Sequence, residues 1–280
     1  MKTAVVTAVR GRMAHLRKQL EGLARVADQV DHHVVVAIDD DDVARTVRAA
    51  GTRTQVVPFR SATRRLPMAA ARNLGAQTAI GGGAELLIFL DVDCVPALNM
   101  VSAYRRAAAH PDHRDALLCG PVTYLRAAGP RGYDLAQLGA LLDPHPARPA
   151  PTDGDIVAST EYELFWSLSF AVSTPVWQGL GGFCTQYTGY GGEDTDFGQK
   201  AAAAGVTMRW VGGAHAFHQF HPIADPPTEH LQDIVTNASI FHRRWGWWPM
   251  QDWINAFAAR GLIRLDPAGR PSVVSVPAGQ

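Results

Sequence analysis

Strand-length apolar runs alternate with helix-length segments through the first half of this 280-residue chain. Parallel strands need crossover connections, which are usually helices, so the alternation predicts an α/β fold with a mostly parallel central sheet flanked by helices. The pattern predicts strands over residues 3–9, 33–38, 54–58, 86–90 and 116–123, and helices over 12–28, 41–50, 67–80 and 97–109.

A proline-rich stretch, residues 126–159, interrupts the alternation. We expect a loop-rich excursion there, ordered or mobile, and a passive surface insertion is the simpler interpretation. Beyond it, the sequence predicts strands over 164–172 and 206–211, and helices from Pro175 and over 193–204, 228–245 and 249–260. The chain thus divides into two halves of one domain, 1–125 and 126–265, and a tail, 266–280, whose prolines and glycines predict disorder.

Composition excludes several classes of protein. Lysine plus arginine equals aspartate plus glutamate at 26 each, so the chain has no bulk attraction to nucleic acid or anionic lipid. Cys94, Cys119 and Cys184 are odd in number and widely spaced, which indicates neither a disulfide framework nor a zinc knuckle. The first apolar run is too short for a signal peptide, and no segment has the length of a membrane span. We expect a cytoplasmic protein without an integral membrane segment.

Two carboxylates follow the most apolar strand of the first half. Residues 86–90 read Leu-Leu-Ile-Phe-Leu, as expected of a strand buried on both faces, and Asp91 and Asp93 come directly after it. Ligands of open α/β sheets bind at the carboxyl ends of the strands. Hard oxygen ligands there suit Mg²⁺ or Mn²⁺, and such an ion suits a diphosphate. A solvated turn at the strand end is the alternative.

A second acidic group lies in the second half, behind flexible glycines. Gly189, Gly191 and Gly192 permit a tight turn and a close approach of backbone to ligand, and they precede Glu193 and Asp194 at a predicted helix start. The alternative is a helix N-cap, because acids in the first turn interact favourably with the helix dipole. A histidine cluster follows in an extended segment and consists of His215, His218 and His221.

Together these motifs resemble the GT-A nucleotide-sugar glycosyltransferases over most of residues 3–250. Similar segments are VVTAVRGRMAHL (5–16), VVVAIDD (34–40), AAARNLGA (69–76) and GGF…GYGGEDTDFGQKAAAAG, the last resembling the carboxy-terminal signature of β-1,4-galactosyltransferases and related family 2 members. Tyr190 stands where those relatives commonly have Trp. The resemblance implies the GT-A fold, a Rossmann-like sheet in which residues 1–125 bind a nucleotide sugar and residues 126–265 bind the acceptor and carry out catalysis.

The resemblance also implies roles for the acidic and histidine residues. Asp93 is the first expected ligand of Mn²⁺ or Mg²⁺, Asp91 is a second one that lies nearer the ribose and a metal-bound water, and His218 best fits the position of a third ligand. His215 and His221 remain alternatives. Asp194 is the expected general base, since a carboxylate close to an acceptor hydroxyl can remove its proton as the new bond forms. Glu193 is expected to orient the acceptor, and Asp196 to cap the helix. These roles favour an inverting transfer of a galactose-type or N-acetylhexosamine-type hexose.

Further residues are expected to hold the donor, with a UDP-sugar favoured. Arginine binds planar oxyanion groups well, and carboxylates accept from base N–H groups. The predicted donor-binding residues are Thr7, Asp39, Arg65, Arg72, Asp91, Gly182 and Gly192. The residues predicted to stack on a sugar are Trp166, Trp177, Tyr187 and Tyr190, whereas Trp245, Trp247 and Trp248 are expected in the core.

Two other functions stay open at this point. The segment LLIFLDVDCV also fits haloacid-dehalogenase-like phosphatases, in which the first aspartate attacks phosphorus. There the motif normally lies near the amino terminus, whereas here about 85 residues precede it, and GYGGEDTD is left unexplained. The third possibility is a non-catalytic protein that binds nucleotide sugars or carbohydrate. The sequence does not indicate the oligomeric state.

Overall fold

The alternation of strands and helices is realised in a computed structural model that describes residues 1–130 and 132–274. The strands are β1 Thr3–Val9, β2 His32–Ile38, β3 Thr54–Phe59, β4 Leu86–Leu90, β5 Cys94–Pro96, β6 Leu117–Cys119, β7 Val122–Tyr124, β8 Ile156–Ser159, β9 Ser169–Ser173, β10 Met208–Val211, β11 Ala216–His218, β12 Ile263–Leu265 and β13 Pro271–Val273. The α-helices are α1 Met13–Ala24, α2 Asp42–Ala50, α3 Met68–Gly81, α4 Met100–Ala109, α5 Thr174–Leu180, α6 Glu193–Ala203, α7 Leu231–Trp245 and α8 Gln251–Ala259.

The main sheet contains eight strands in the order β3-β2-β1-β4-β9-β6-β10-β8. Strands β1 to β4 pair in parallel, and β6 pairs in parallel with β10, as the α/β alternation predicts. Strand β9 runs antiparallel between β4 and β6, and β8 forms an antiparallel edge. The predicted α/β fold class is confirmed, with the addition of these two antiparallel strands. One sheet therefore runs through both halves of the chain.

Strand β4 lies in the middle of the sheet, which explains its unbroken apolar sequence. Every one of its residues is buried. Phe89 stacks on Phe170 of β9 with ring centroids 4.6 Å apart, and Trp177 of α5 packs against the same ring at 4.7 Å. Trp177 is thus a core residue, and the prediction that it stacks on a sugar is wrong because only 6% of it is exposed. Burial of β4 fixes the position at which Asp91 emerges.

A small second sheet, in the order β5-β11-β7, decides where the histidines lie. The predicted strand over 116–123 is in fact two strands, since the chain leaves the main sheet after β6 and enters the small sheet at β7. Gly120 lies at this crossing, where a side chain would overlap the carbonyl of Ala214. In the small sheet His218 pairs with Cys94, the residue after Asp93. The register of three short strands therefore brings the histidine cluster to the end of β4.

The excursion over 126–159 is described except for residue 131, and it is partly structured. It contains a short 3-10 helix, Leu138–Leu141, and it ends in β8, which extends the main sheet beside β10. Strands β12 and β13 form an antiparallel hairpin. The predicted disorder of the tail is therefore wrong for residues 266–274, because β13 pairs with β12, and residues 275–280 lie outside the described residues.

Within residues 1–130 and 132–274, no helix is both long and apolar enough to cross a membrane. Cys94, Cys119 and Cys184 are all free. Burial raises the pKa of the Cys119 thiol to about 12, so this sulfur stays protonated and unreactive. The cytoplasmic location stays a prediction.

Candidate active site

Asp93 is the centre of a cluster of metal-ligating side chains. His218 Nε2 lies 3.4 Å from Asp93 Oδ1, and His221 Nε2 lies 3.6 Å from Asp93 Oδ2. One ligand atom from each of the three residues lies within 4.8 Å of the others. The backbone fixes this arrangement, because the N–H of Gln219, which follows His218, donates to the carbonyl of Asp93 at 2.7 Å.

The chemistry of this cluster fits a divalent cation. Asp93 Oδ1 is buried, and among the described residues it has no hydrogen-bond donor, which is costly unless a cation or water occupies the place. Burial, followed by the nearby Arg12, lowers the pKa of His221 and so favours the neutral imidazole that binds metals. Two imidazoles with one carboxylate suit Mn²⁺ better than Mg²⁺, which prefers oxygen ligands.

Asp91 lies outside this cluster. Its Oδ1 accepts a hydrogen bond from Arg72 Nη2 at 2.8 Å, and Arg72 Nη1 lies 3.4 Å from Glu193 Oε1. Burial disfavours the charge of Arg72, but the carboxylates of Asp91 and Glu193 outweigh this effect and raise its pKa. The candidate ligands brought together are Asp93, His218 and His221, and the expected role of Asp91 as a metal ligand stays a prediction.

Arg72 joins the two acidic motifs that the sequence analysis found separately. Arg72 is 5% exposed, and its guanidinium also lies over the ring of Phe183, with 5.3 Å between the guanidinium carbon and the ring centroid. One of its partners, Asp91, directly follows β4, and the other, Glu193, begins α6. The carboxyl edge of the sheet and the start of α6 therefore form one site, as expected from the position of the motifs.

The two acids at the start of α6 have different environments. Burial, followed by repulsion from Asp194, raises the pKa of Glu193 to about 7, although Arg72 opposes this. Asp194 Oδ2 accepts from the backbone N–H of Ser167 at 3.4 Å, and its side chain is half-buried. Glu193 is therefore bound to Arg72, whereas the carboxylate of Asp194 accepts a single long hydrogen bond among the described residues.

Asp196 does not cap the helix as predicted. It is fully buried and accepts hydrogen bonds from Arg244 Nε at 2.6 Å, Trp245 Nε1 at 2.8 Å and the Tyr187 hydroxyl at 3.2 Å. It points inward because it lies two residues after Asp194, on another face of the helix. Asp196 thus fastens α6 to α7, and Tyr187 is a core residue rather than a sugar platform. The N-cap is Gly192, whose φ of 93° favours glycine.

Asn237 is a site residue that the sequence analysis missed. Its side-chain nitrogen donates to the carbonyls of Thr188, Tyr190 and Gly191 at 3.1, 3.2 and 2.8 Å. Asn237 is 1% exposed and lies in the middle of α7. A buried asparagine in an amphipathic helix is the only signal in the sequence, and the signal does not identify the loop that the side chain holds.

His215 is also buried, but for a structural reason. It faces away from His218 across the strand, and its Nε2 lies 2.8 Å from the hydroxyl of Thr123. Burial lowers its pKa to about 4. Thr7 is another internal residue and is 1% exposed. Its hydroxyl lies 3.0 Å from two hydrogen-bond acceptors, Gln19 Oε1 and the Leu90 carbonyl. The expected contact of the Thr7 hydroxyl with a base or ribose is therefore not available.

The remaining predicted donor residues are spread along the rim of the site. Asp39 directly follows β2, has a φ of 49° in the left-handed region, and accepts a hydrogen bond from the Ser61 N–H at 2.9 Å. Arg65 Nε lies 3.3 Å from Asp233 Oδ1. Both side chains are accessible to a ligand, and their donor-binding roles stay predictions.

The two predicted glycines shape the backbone around the site. A side chain at Gly182 would collide with Asn73, which holds the N–H and the carbonyl of Phe183 at 2.8 and 2.9 Å. At Gly192 it would press on the Tyr187 ring. Both glycines are therefore explained by packing, and their predicted contact with the donor stays a prediction.

An aromatic wall extends from the cluster of Asp93, His218 and His221 into the excursion over residues 126–159. We give this name to Tyr124, His145 and Trp166. Tyr124 stacks on His218 at 4.5 Å, and His145 makes edge contacts with Tyr124 and Trp166 at 5.4 and 5.1 Å. Arg148 lies over Trp166 at 5.0 Å. The excursion thus supplies part of the site, and its interpretation as a passive surface insertion is not supported by these contacts.

A second aromatic surface lies beside the glycine-rich loop. Tyr190 stacks on His230 with centroids 4.3 Å apart and lies 5.8 Å from Trp253. Burial, followed by repulsion from Asp194 and Glu193, raises the pKa of Tyr190 to about 12, so the phenol stays neutral at physiological pH. Tyr190 is half-buried and close enough to the acids of α6 to be affected by their charge, whereas Trp166 contacts His145 of the aromatic wall. Both remain candidates for sugar stacking.

Comparisons with known proteins show a likeness to glycosyltransferases. The family described as the N-terminal domain of galactosyltransferase matches residues 157–222, which include the acidic helix start and all three histidines. Validoxylamine A glucosyltransferase of Streptomyces hygroscopicus subsp. jinggangensis is 27% identical over 228 residues, which cover 73% of this chain and 52% of that protein. The chain thus spans about half the length of the curated relative it matches.

Solved structures extend the likeness to the fold. S. aureus TarS 1-349 in complex with UDP superposes with a TM-score of 0.59 at 14% identity and covers 93% of this chain and 75% of that chain. GalNAc-T7 with UDP, GalNAc and Mn²⁺ gives a TM-score of 0.54 at 16% identity and covers 79% of this chain and 43% of that one. These comparisons confirm the predicted fold and the resemblance to GT-A glycosyltransferases, and they support the prediction that the chain is a transferase.

Proposed function

We propose that this chain, which has the fold of GT-A glycosyltransferases, transfers a hexose from a nucleoside-diphosphate sugar to a hydroxyl group of an acceptor. One observation carries the proposal. Arg72 contacts Asp91 at the end of β4 and Glu193 at the start of α6. The predicted diphosphate site and the predicted catalytic acids are therefore next to each other. A phosphatase of the haloacid-dehalogenase type needs Asp91 as a free nucleophile, whereas here Arg72 holds it.

We favour a UDP-sugar as donor, because TarS and GalNAc-T7 have been solved with UDP. The sugar is less constrained. The similar proteins include a galactosyltransferase domain, a glucosyltransferase and TarS in complex with UDP-GlcNAc. A galactose-type or N-acetylhexosamine-type hexose remains our proposal for this chain.

We assign the metal to Asp93, His218 and His221, with Mn²⁺ preferred to Mg²⁺. Bound there, the ion would offset the negative charge that develops on the diphosphate as it leaves. Two of the three residues are positioned by different sheets, since Asp93 follows β4 of the main sheet and His218 ends β11 of the small one. Such a site is preorganised by backbone pairing.

We assign the role of general base to Asp194. Its carboxylate lies at the amino-terminal end of α6 and is oriented by the Ser167 N–H. It would accept the proton of the acceptor hydroxyl as the oxygen attacks the anomeric carbon, and the diphosphate would leave from the opposite face, so the configuration inverts. Glu193 is held by Arg72 and would bind an acceptor hydroxyl rather than take its proton.

A screen of UDP- and GDP-sugars with Mn²⁺ tests the proposal without knowledge of the acceptor. A ligand that binds the folded state raises its apparent stability, so the correct donor is expected to raise the melting temperature and to be hydrolysed slowly. Phosphate monoesters serve as the matched control substrates. Stabilisation without hydrolysis or transfer would favour a binding protein, and release of phosphate from the monoesters would favour the phosphatase.

A further inference from the structure

The guanidinium of Arg12 binds the carboxylate of Asp93, the residue at the centre of the candidate metal site. Arg12 Nη1 is 2.8 Å from Asp93 Oδ2, and the two residues are 81 positions apart. Asp93 Oδ2 is the same oxygen that faces His221 Nε2 at 3.6 Å. A guanidinium and a divalent cation cannot both bind this oxygen from the same side, because their positive charges repel each other.

The backbone holds Arg12 in this position. Gly11 and Arg12 both have positive φ, 65° and 57°, and the Gly11 N–H donates to Asp40 Oδ2 at 2.7 Å. A non-glycine residue in the left-handed region is uncommon and carries strain. The carbonyl of Arg12 then accepts from Leu16 N–H in the first turn of α1. This turn after β1 directs the Arg12 side chain across the sheet edge toward Asp93.

Arg12 is nevertheless able to leave. Its side chain is 39% exposed, whereas that of Asp93 is 12% exposed. An ion pair that is partly solvated contributes little net stability, and the pair here has one mobile and one fixed partner. Moving the Arg12 guanidinium into solvent, or onto an anionic ligand, therefore costs little, while the Asp93 carboxylate stays in place.

We propose that Arg12 is a built-in competitor of the metal, which neutralises Asp93 in the metal-free protein and is displaced when metal and diphosphate bind together. This inference rests on the proposed function, because the diphosphate supplies the negative charge that Arg12 loses on leaving Asp93. Metal alone must displace Arg12 without compensation, whereas metal with a nucleoside diphosphate does not. Displacement of Arg12 thus couples metal binding to donor binding, so that each ligand tightens the binding of the other.

The test measures Mn²⁺ binding rather than activity. Free Mn²⁺ is titrated by electron paramagnetic resonance in the presence and absence of UDP, for the wild type, Arg12→Gln, Arg12→Lys and Arg10→Gln. Arg10 is the matched control, since it has the same charge two residues away but contacts the carbonyl of Arg64 rather than Asp93. Circular dichroism confirms that each variant is folded.

We expect Arg12→Gln to bind Mn²⁺ without UDP up to roughly fivefold more tightly than the wild type, because the ion then no longer displaces a guanidinium from Asp93, and breaking a partly solvated ion pair costs at most about that factor. Arg12→Lys and Arg10→Gln are expected to stay within about twofold of the wild type, because each leaves a cation beside Asp93. UDP should tighten Mn²⁺ binding less in Arg12→Gln than in the wild type.

Equal or weaker Mn²⁺ binding by Arg12→Gln would overturn the inference, and so would an equal gain in Arg10→Gln, which would reduce the effect to net charge. Failure of the proposed function is a different result. If the variants follow the expected order with Mn²⁺ alone but no nucleotide sugar binds, the donor assignment fails while the competition stands. If nucleotide sugars bind but neither wild type nor Arg12→Gln binds Mn²⁺, the competition fails while the donor assignment stands.

Discussion

Arg72 Nη2 lies 2.8 Å from Asp91 Oδ1, and this contact separates the two aspartates that follow β4 into different roles. Asp91 anchors an arginine that also reaches Glu193, whereas Asp93 faces the two histidines. Burial raises the pKa of Asp91, the charge of Arg72 lowers it and the charge of Asp93 raises it, so that the net effect is a rise. Arg72 therefore neutralises a carboxylate that would otherwise repel Asp93.

The first prediction concerns this ion pair. Arg72→Gln leaves two carboxylates without their buried cation, and we expect a loss of about 3–5 kcal/mol in the free energy of unfolding, as is typical when one partner of a buried pair is removed. Urea denaturation measures it. Arg114→Gln is the control, because its pair with Asp115 is exposed and its loss should change stability by less than about 1 kcal/mol. Equal losses in the two variants would contradict the role of Arg72.

The second prediction separates the acids of α6. Asp194→Asn keeps the shape of the side chain but removes the proton acceptor, so we expect kcat to fall by about 10²–10⁴-fold with the melting temperature and donor affinity unchanged. Asp196→Asn is the matched variant, two residues along the same helix. It should lower the melting temperature instead, because Arg244 loses its buried partner. Near-normal transfer by Asp194→Asn would show that Asp194 is not the base.

The third prediction concerns pH. The folded-state pKa of Glu193, about 7, lies above its ordinary value of 4.5. The folded protein therefore keeps a proton that the unfolded chain releases, and the contribution of Glu193 to stability falls as pH rises from about 4.5 to about 7. Glu193→Gln removes this dependence, so its stability relative to the wild type should increase over that range. Chemical denaturation between pH 5 and 8 measures the difference. Parallel curves for the two proteins would count against the buried environment of Glu193.

The fourth prediction concerns the glycine-rich loop. Asn237→Ala removes three hydrogen bonds to the backbone of residues 188–191, and we expect a loss of about 1–3 kcal/mol together with slower transfer, since the loop leads into the catalytic acids. Asn255→Ala is the control, because Asn255 bonds only to the exposed Gln251 among the described residues. A stable Asn237→Ala protein would show that the loop keeps its shape by other contacts.

Much of the main sheet could be predicted, because apolar runs such as Leu86–Leu90 report burial in the middle of a sheet directly. The position of Asp93 followed from that strand, and the likeness to known transferases indicated His218. The three-residue strands of the small sheet leave almost no periodic signal, and their pairing decides that His221 rather than Asp91 joins the cluster. That choice depends on tertiary register, which the local sequence does not encode.

Arg12 and Asn237 escaped prediction for a related reason. Each acts on residues far away in the chain, Arg12 on Asp93 and Asn237 on the loop near Gly191. Asp196 was assigned as a cap because acids are common in a first helical turn, but α7 supplies two donors to it, Arg244 and Trp245, and the Tyr187 hydroxyl supplies a third. Local propensity predicts residue types well, whereas partners from other elements determine what a polar side chain does.

The most direct test of the account is the rate of UDP release from a hydrolysable UDP-sugar in the wild type and in Asp93→Asn, with Mn²⁺ and with EDTA. We expect EDTA to abolish release by the wild type, Mn²⁺ to restore it, and Asp93→Asn to stay inactive at Mn²⁺ concentrations that saturate the wild type, because Asp93 is the carboxylate proposed to hold the ion. Undiminished release in EDTA, or equal Mn²⁺-dependent rates in the two proteins, would contradict the assignment of this site.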